Sequence, residues 1–154
     1  MSRFRRILVP HDFSDHSTRA LKVAAELARE HRGRLVVIHV ITPFHPVTAF
    51  PEEGVALVAE ADLMVDERRR LEALVARTLG RRRPPVTCRV TIGDPYHRIA
   101  DAARGVDLIV MATAGRTGVS HLLMGSVAEK VVRHAPVPVL TLPSAARRRG
   151  ARRR

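Results

Sequence analysis

Tryptophan is absent, tyrosine occurs once and phenylalanine four times, so aromatics make up 3% of the 154 residues. So thin a set argues against a single-strand nucleic-acid binder that stacks bases on ring platforms. One cysteine excludes an intrachain disulfide framework and a cysteine-based zinc cluster. No apolar run approaches the roughly 20 residues of a membrane span. Arg3, Arg5 and Arg6 precede an apolar stretch that runs only from Ile7 to Pro10, too short for a signal-peptide core. The expected compartment is therefore the cytoplasm, with no membrane partner, where a lone thiol stays reduced. What remains is 45% hydrophobic and 27% charged, a globular balance at a length that suits one domain.

The charge is lopsided. Lys and Arg number 27 against 15 Asp and Glu, a formal net charge of +12. Six arginines fall in the last eight residues, 147–154, so half of the excess is a terminal appendage. A run of like charges at a terminus repels itself and is expected to be disordered. Contact with nucleic acid through this tail is the alternative reading, but no helix-turn-helix, RNA-binding or zinc-finger signature accompanies it. The domain is expected to occupy residues 1–143 and the tail residues 144–154.

Short apolar runs alternate with helix-period segments, the pattern of a parallel α/β sheet. Strands are expected over residues 6–10, 34–41, 86–92, 107–113 and 137–142. Helices are expected over 17–32, 55–79, 96–104 and 127–134, with a proline-rich loop over 43–54. Ser14 or Asp15 caps the first helix and Gly33 stops it; Pro95 opens the third. Ala20, Leu21, Ala24, Ala25, Leu27 and Ala28 share one helical face, and Leu57, Leu63, Leu71, Leu74 and Leu79 are candidates for the inward face of the second helix. The third strand alternates, with Cys88 on its apolar face, and the fifth carries Pro138; both belong at sheet edges. The order 3-2-1-4-5 satisfies these preferences in a single doubly wound domain with helices on both faces. It places strands 1 and 4 side by side, with a crevice at their carboxyl ends.

Two segments line that crevice: Pro10-His11-Asp12, and the stretch from Ala112 to Ser126. Gly115, Gly118 and Gly125 allow backbone N–H groups to converge, and the following helix presents its N-terminus, an arrangement suited to phosphate. Neither the P-loop nor the dinucleotide G-x-G-x-x-G pattern is present. Asp12 has a second, local reading as the organiser of the turn into the first helix. Ser126-x-x-Glu129 likewise reads as a capping box. The histidines are scattered, with no His-x-x-x-His or carboxylate partner at metal spacing. No Ser/His/Asp or paired-carboxylate arrangement points to hydrolysis, so the chain is not read as an enzyme, and any turnover is expected to be slow.

Several marks occur together: Ile7-Leu8-Val9-Pro10-x-Asp12, His39-Val40, Gly93-Asp94-Pro95, Gly115-Arg116-Thr117-Gly118 running to Gly125-Ser126-Val127-Ala128-Glu129-Lys130-Val131, and His134-Ala135-Pro136-Val137-Pro138-Val139-Leu140. In this order and spacing the chain resembles the universal stress protein family. The ATP-binding branch of that family has Gly-x2-Gly-x9-Gly-Ser/Thr after the fourth strand. Gly115 matches the second glycine, and nine residues separate it from Gly125-Ser126. Ala112 stands where that branch has its first glycine. The resemblance implies ATP or a related adenine nucleotide as ligand, with any Mg2+ carried in on it. It implies base and ribose near Pro10, His11, Asp12 and Val40, and phosphates over Gly115, Gly125, Ser126 and Val127. Met111, Ala112 and Arg116 complete the implied site. It further implies a stress-response regulatory module that is a homodimer through the strand from Val137 to Leu142. A protein–protein interaction module that has lost its nucleotide is the alternative, and Ala112 is the feature in its favour.

Overall fold

The computed structural model describes residues 4–43, 53–114 and 124–143. Gly115, Arg116, Gly118, most of the 43–54 loop and the 144–154 tail lie outside them. Five strands and four helices alternate: β1 (Arg6–Pro10), α1 (Asp15–Glu30), β2 (Arg34–Ile41), α2 (Glu53–Leu79), β3 (Val86–Ile92), α3 (Pro95–Ala103), β4 (Leu108–Ala112), α4 (Ser126–His134) and β5 (Val139–Leu142). The strands form one parallel sheet in the order β3-β2-β1-β4-β5. The doubly wound order expected from the alternating third strand and the proline-bearing fifth is therefore the one observed.

Side-chain alternation along the strands divides the core in two. Ile7, Val9, Leu35, Val37 and Cys88 face α1 and α2, while Leu8, Val36, Ile38, Ile109 and Met111 face α3 and α4. Each fully buried Ile, Leu or Val contributes about 1.5–3 kcal/mol of transfer free energy, and Ile7, Leu8 and Val9 are all completely covered. Asp107 fastens the start of β1 to β4 by accepting the Arg5 and Arg6 backbone N–H groups at 2.9 and 2.8 Å. On α1, four of the six buried residues are alanines, which let the helix lie close to the sheet.

Several local expectations change. Helix α1 starts at Asp15, because the Ser14 side chain accepts the Ser17 N–H at 3.1 Å and so fixes Ser14 as the cap. At its other end the left-handed residue is Arg32, with φ of 51°, rather than Gly33. Gly33 is needed for a different reason: a Cβ there would stand 2.8 Å from the carbonyl oxygens of both Phe4 and Arg5. Helix α2 already includes Glu53 and Gly54. Leu71 is fully buried and Leu74 and Leu79 pack against the core, but Leu63 is 44% exposed, and the Leu57 side chain is outside the described set. Strand β5 begins at Val139, not Val137. Pro138 sits just before it and offers its carbonyl to the Ile109 N–H at 3.0 Å, so its missing donor leaves no gap in the ladder.

Candidate functional site

The carboxyl ends of β1, β2 and β4 open into a cavity of about 600 Å3, within the size range of small-molecule sites. Pro10, His11, Asp12, Val40, Met111, Ala112, Gly125, Ser126 and Val127 all line it. These are the nine expected site residues that are described; Gly115 and Arg116 lie outside the described residues. The wall also includes residues not expected at the site. His39 and Thr42 come from the end of β2, Leu63 and Glu67 from α2, and Ile99 from α3. Among the described lining residues no lysine or arginine occurs, and Asp12 and Glu67 supply the carboxylates. No group of three or more His, Cys, Asp or Glu suited to a metal ion is found among the described residues.

The end formed by α4 is a donor site. Gly125 caps the helix without a side-chain hydrogen bond, with φ of −58° and ψ of 149°. The expected capping box is therefore not made: Ser126 is the first helical residue, and the Glu129 carboxylate turns to Arg133 at 2.9 Å instead. Gly125 does not direct its own N–H into the cavity either. It donates to the Thr113 carbonyl at 2.7 Å, and a Cβ on Gly125 would stand 3.2 Å from that same oxygen. Close approach to the end of β4 is what the glycine serves. The donors left over are the N–H groups of Ser126, Val127 and Ala128, which have no acceptor within the helix. All three residues line the cavity, at the end of the helix where the backbone dipole favours an anion.

The opposite end is polar and tightly tied. Asp12 Oδ1 accepts the Ser14 N–H at 3.1 Å and the Ser14 hydroxyl at 2.5 Å. The local role expected for Asp12 is thus present, and it holds the carboxylate at the cavity edge. His11 is buried, and its Nδ1 accepts the Phe13 N–H at 3.1 Å. The Thr18 hydroxyl donates to the Ser14 carbonyl, so its lone pair is left to accept His11 Nε2–H at 3.2 Å. This network selects the neutral Nε2–H tautomer. Burial pushes the His11 pKa from 6.5 down to about 4, outweighing the pull of the Asp12 carboxylate, and His39 acts in the same direction.

His39 donates from Nδ1 to the His11 carbonyl at 2.8 Å, and its Nε2 lies 3.7 Å from Glu67 Oε2. The other Glu67 oxygen is 3.3 Å from Arg70, whose guanidinium sits 4.0 Å above the Phe13 ring. The Phe13 and His39 rings are 4.6 Å apart. Phe13 itself has φ of 65°, in the left-handed region. Cys88 plays no part here: it is in the core between β3 and α2, and burial raises its pKa.

A family model described as the universal stress protein family matches residues 3–143. The chain belongs to the universal stress protein family. A universal stress protein of Thermus aquaticus is 37% identical over 139 residues, covering 89% of this chain and 97% of its own. The solved universal stress protein UspA of Lactobacillus plantarum is 29% identical, with a TM-score of 0.69, covering 92% of this chain and 99% of its own. Two more distant solved members are 22% identical and share the fold. One is in complex with cAMP, with a TM-score of 0.62 and coverage of 92% and 98%; the other, from Archaeoglobus fulgidus, is in complex with dAMP, with a TM-score of 0.55 and coverage of 91% and 98%. Of the residues that sequence reasoning missed, Glu67 lies deepest in another element. Its only signal is that it follows Leu63 by one helical turn on a face that is not fully apolar.

Proposed function

We propose that this universal stress protein binds an adenine nucleotide at the β1/β4 crevice and acts as a regulatory module rather than an enzyme. The observation that carries the reading is the cavity between the first-turn N–H groups of α4, which have no acceptor within the helix, and the Asp12 edge of β1. Phosphate goes to the α4 end, where donors are in excess. The base and sugar go to the apolar middle formed by Pro10, Val40 and Met111, with Asp12 in position to accept from a sugar hydroxyl. Family members solved with cAMP and dAMP support an adenine ligand. Mg2+ would enter with the phosphates, since the described wall offers no cage of its own. A titration with fluorescent ATP, AMP and cAMP tests the reading: saturable binding below millimolar is expected. Its absence for all three defeats the nucleotide assignment. Hydrolysis stays at background; turnover that vanishes on changing Asp12 or Ser126 would make the protein an ATPase instead.

The second reading, a nucleotide-free interaction module, draws on Ala112. This residue ends β4, pairs in register with Leu142 and lines the cavity. On the nucleotide reading, Ala112→Gly changes ATP affinity by less than about threefold. Binding undetectable in the native chain and restored by Ala112→Gly would replace the first reading with the second.

The module acts as a homodimer through β5. This strand is one of the two edges of the sheet, and Leu140 on it is 39% exposed, the kind of apolar edge that a second strand covers. Light scattering should give twice the chain mass of 17.1 kDa, and Leu140→Arg should give the single mass. A native monomer refutes the dimer and leaves the nucleotide reading intact.

A further inference from the structure

The end of the sheet away from the cavity carries its own chemistry. In a parallel sheet all strand starts lie at one end, and here the turns leading into them are rich in arginine. Arg5 and Arg6 open β1, Arg32 and Arg34 flank the start of β2, and Arg81, Arg82 and Arg83 lead into β3; all are exposed. The register brings them together. Arg6 pairs directly with Arg34, the Arg34 N–H donates to the Arg5 carbonyl at 2.8 Å, and the Leu35 N–H donates to the Pro85 carbonyl at 2.8 Å. The acids in the same turns are Glu30 and Asp107, and Asp107 is occupied by backbone N–H groups. None of the seven arginines makes an ion pair among the described residues.

Helix dipoles do not account for this excess. Helix C-termini at this end carry about half a negative charge each, and Arg29 and Arg77 already occupy the last turns of α1 and α2. The seven arginines lie beyond those turns. We propose that this face is a docking surface for the phosphate backbone of duplex nucleic acid, distinct from the cavity, which opens at the other ends of the strands. The guanidinium fork matches the paired oxygens of a phosphodiester. Of the exposed large hydrophobic side chains among the described residues, only Val132, in the last turn of α4 on the way into β5, lies toward this end, and one such side chain outside the arginine turns makes neither a wedge for a bilayer nor an apolar centre for a protein partner. The aromatic rings described at this end, Phe4 and His31, are only part-exposed and packed edge to face on each other, which leaves little platform for unpaired bases and favours duplex over single strand. Three neighbouring strand starts span about 10 Å, a length of duplex that presents about six phosphate charges. Recognition is of the backbone, with no sequence preference.

The test is fluorescence anisotropy of the full chain with a labelled 20-base-pair duplex of random sequence between 50 and 300 mM KCl, where duplex length and salt are about those of ordinary backbone-binding assays. Changing Arg81, Arg82 and Arg83 together to Gln should weaken binding at 100 mM KCl by about tenfold or more. It should also make the slope of log affinity against log salt shallower by about 2–3. A charge-matched control, Arg68→Gln with Arg69→Gln and Lys130→Gln, should change affinity by less than about threefold. Arg32→Gln with Arg34→Gln is the second variant should the first melt early. Equal losses in test and control variants would show bulk charge rather than a face and overturn the proposal. So would no binding at 50 mM KCl, binding that resides wholly in residues 147–154 when they are deleted, or binding to phosphatidylserine vesicles in place of the duplex.

Discussion

Ser126→Pro isolates the backbone contribution of α4 to ligand binding. Ser126 is the first residue of the helix, a position where proline is preferred because its missing N–H has no helical acceptor to lose. The residue ahead of a proline must be extended, and Gly125 already is, with ψ of 149°. The substitution should therefore leave the melting temperature within about 2 °C of native, or raise it slightly by restricting the unfolded chain. What it removes is one donor aimed at the cavity together with the hydroxyl. A hydrogen bond to a charged group contributes about 1.5–3 kcal/mol, so affinity for ATP should fall roughly ten- to 150-fold. Ser126→Ala keeps the N–H and removes only the hydroxyl, so it should lose less. Isothermal titration of the three proteins beside their thermal melts is the assay. A folded Ser126→Pro protein that binds ATP as tightly as native would refute the placement of phosphate at α4. An unfolded one would refute the local geometry from which the argument starts.

The remaining predictions concern stability. His11 has a folded-state pKa of about 4 against 6.5 in the unfolded chain, so the unfolded state takes up the extra proton between those values. Its contribution is complete above pH 6.5 and is lost as pH falls toward 4, reaching about 2.5 kcal/mol by pH 4.5. Urea unfolding at pH 7 and 4.5 should show that difference between the native protein and His11→Gln; identical pH dependence in the two would sink the assignment. Gly33→Ala should cost about 1–3 kcal/mol, because the neighbours its Cβ would meet at 2.8 Å are backbone carbonyls that cannot rotate away. Unchanged stability by the same urea method would mean that β1 and the α1–β2 turn approach less closely than described.

The sheet order was legible because its signals are one-dimensional. Period-2 alternation on β3, the uninterrupted apolar run of β4 and Pro138 ahead of β5 each constrain a position in the sheet without reference to another segment. Element ends were less so. Ser14 and Ser126 look alike in sequence, each a hydroxyl ahead of an apolar face, yet Ser14 is a cap and Ser126 is not. The difference arises because Gly125 is held to the Thr113 carbonyl, a contact between segments that no local pattern encodes. The same holds for Gly33, whose partner carbonyls belong to β1. The cavity floor was readable from strand ends alone. The α2 wall was not, because Leu63 reads as core and Glu67 as a solvated charge until the helix is laid across the sheet.

That wall and floor depend on each other through Phe13. A non-glycine residue in the left-handed region costs about 1–2 kcal/mol, and Phe13 is held there at φ 65° in the turn that sets Asp12. The contacts that offset the cost come from elsewhere. Arg70 lies 4.0 Å over the ring and His39 packs 4.6 Å from it, contacts worth about 0.5–2 kcal/mol for the cation and 0.5–1.5 kcal/mol for an aromatic pair. Glu67 lies between the two, 3.3 Å from Arg70 and 3.7 Å from the His39 ring. A strained turn after β1 is thus stabilised by a helix that begins 40 residues later in the chain, at Glu53. The consequence is cooperative: undocking α2 removes the cavity wall and at the same time the contacts that keep the Asp12 turn in its strained form. The site should therefore be lost as a unit, with wall and floor giving way at the same denaturant concentration.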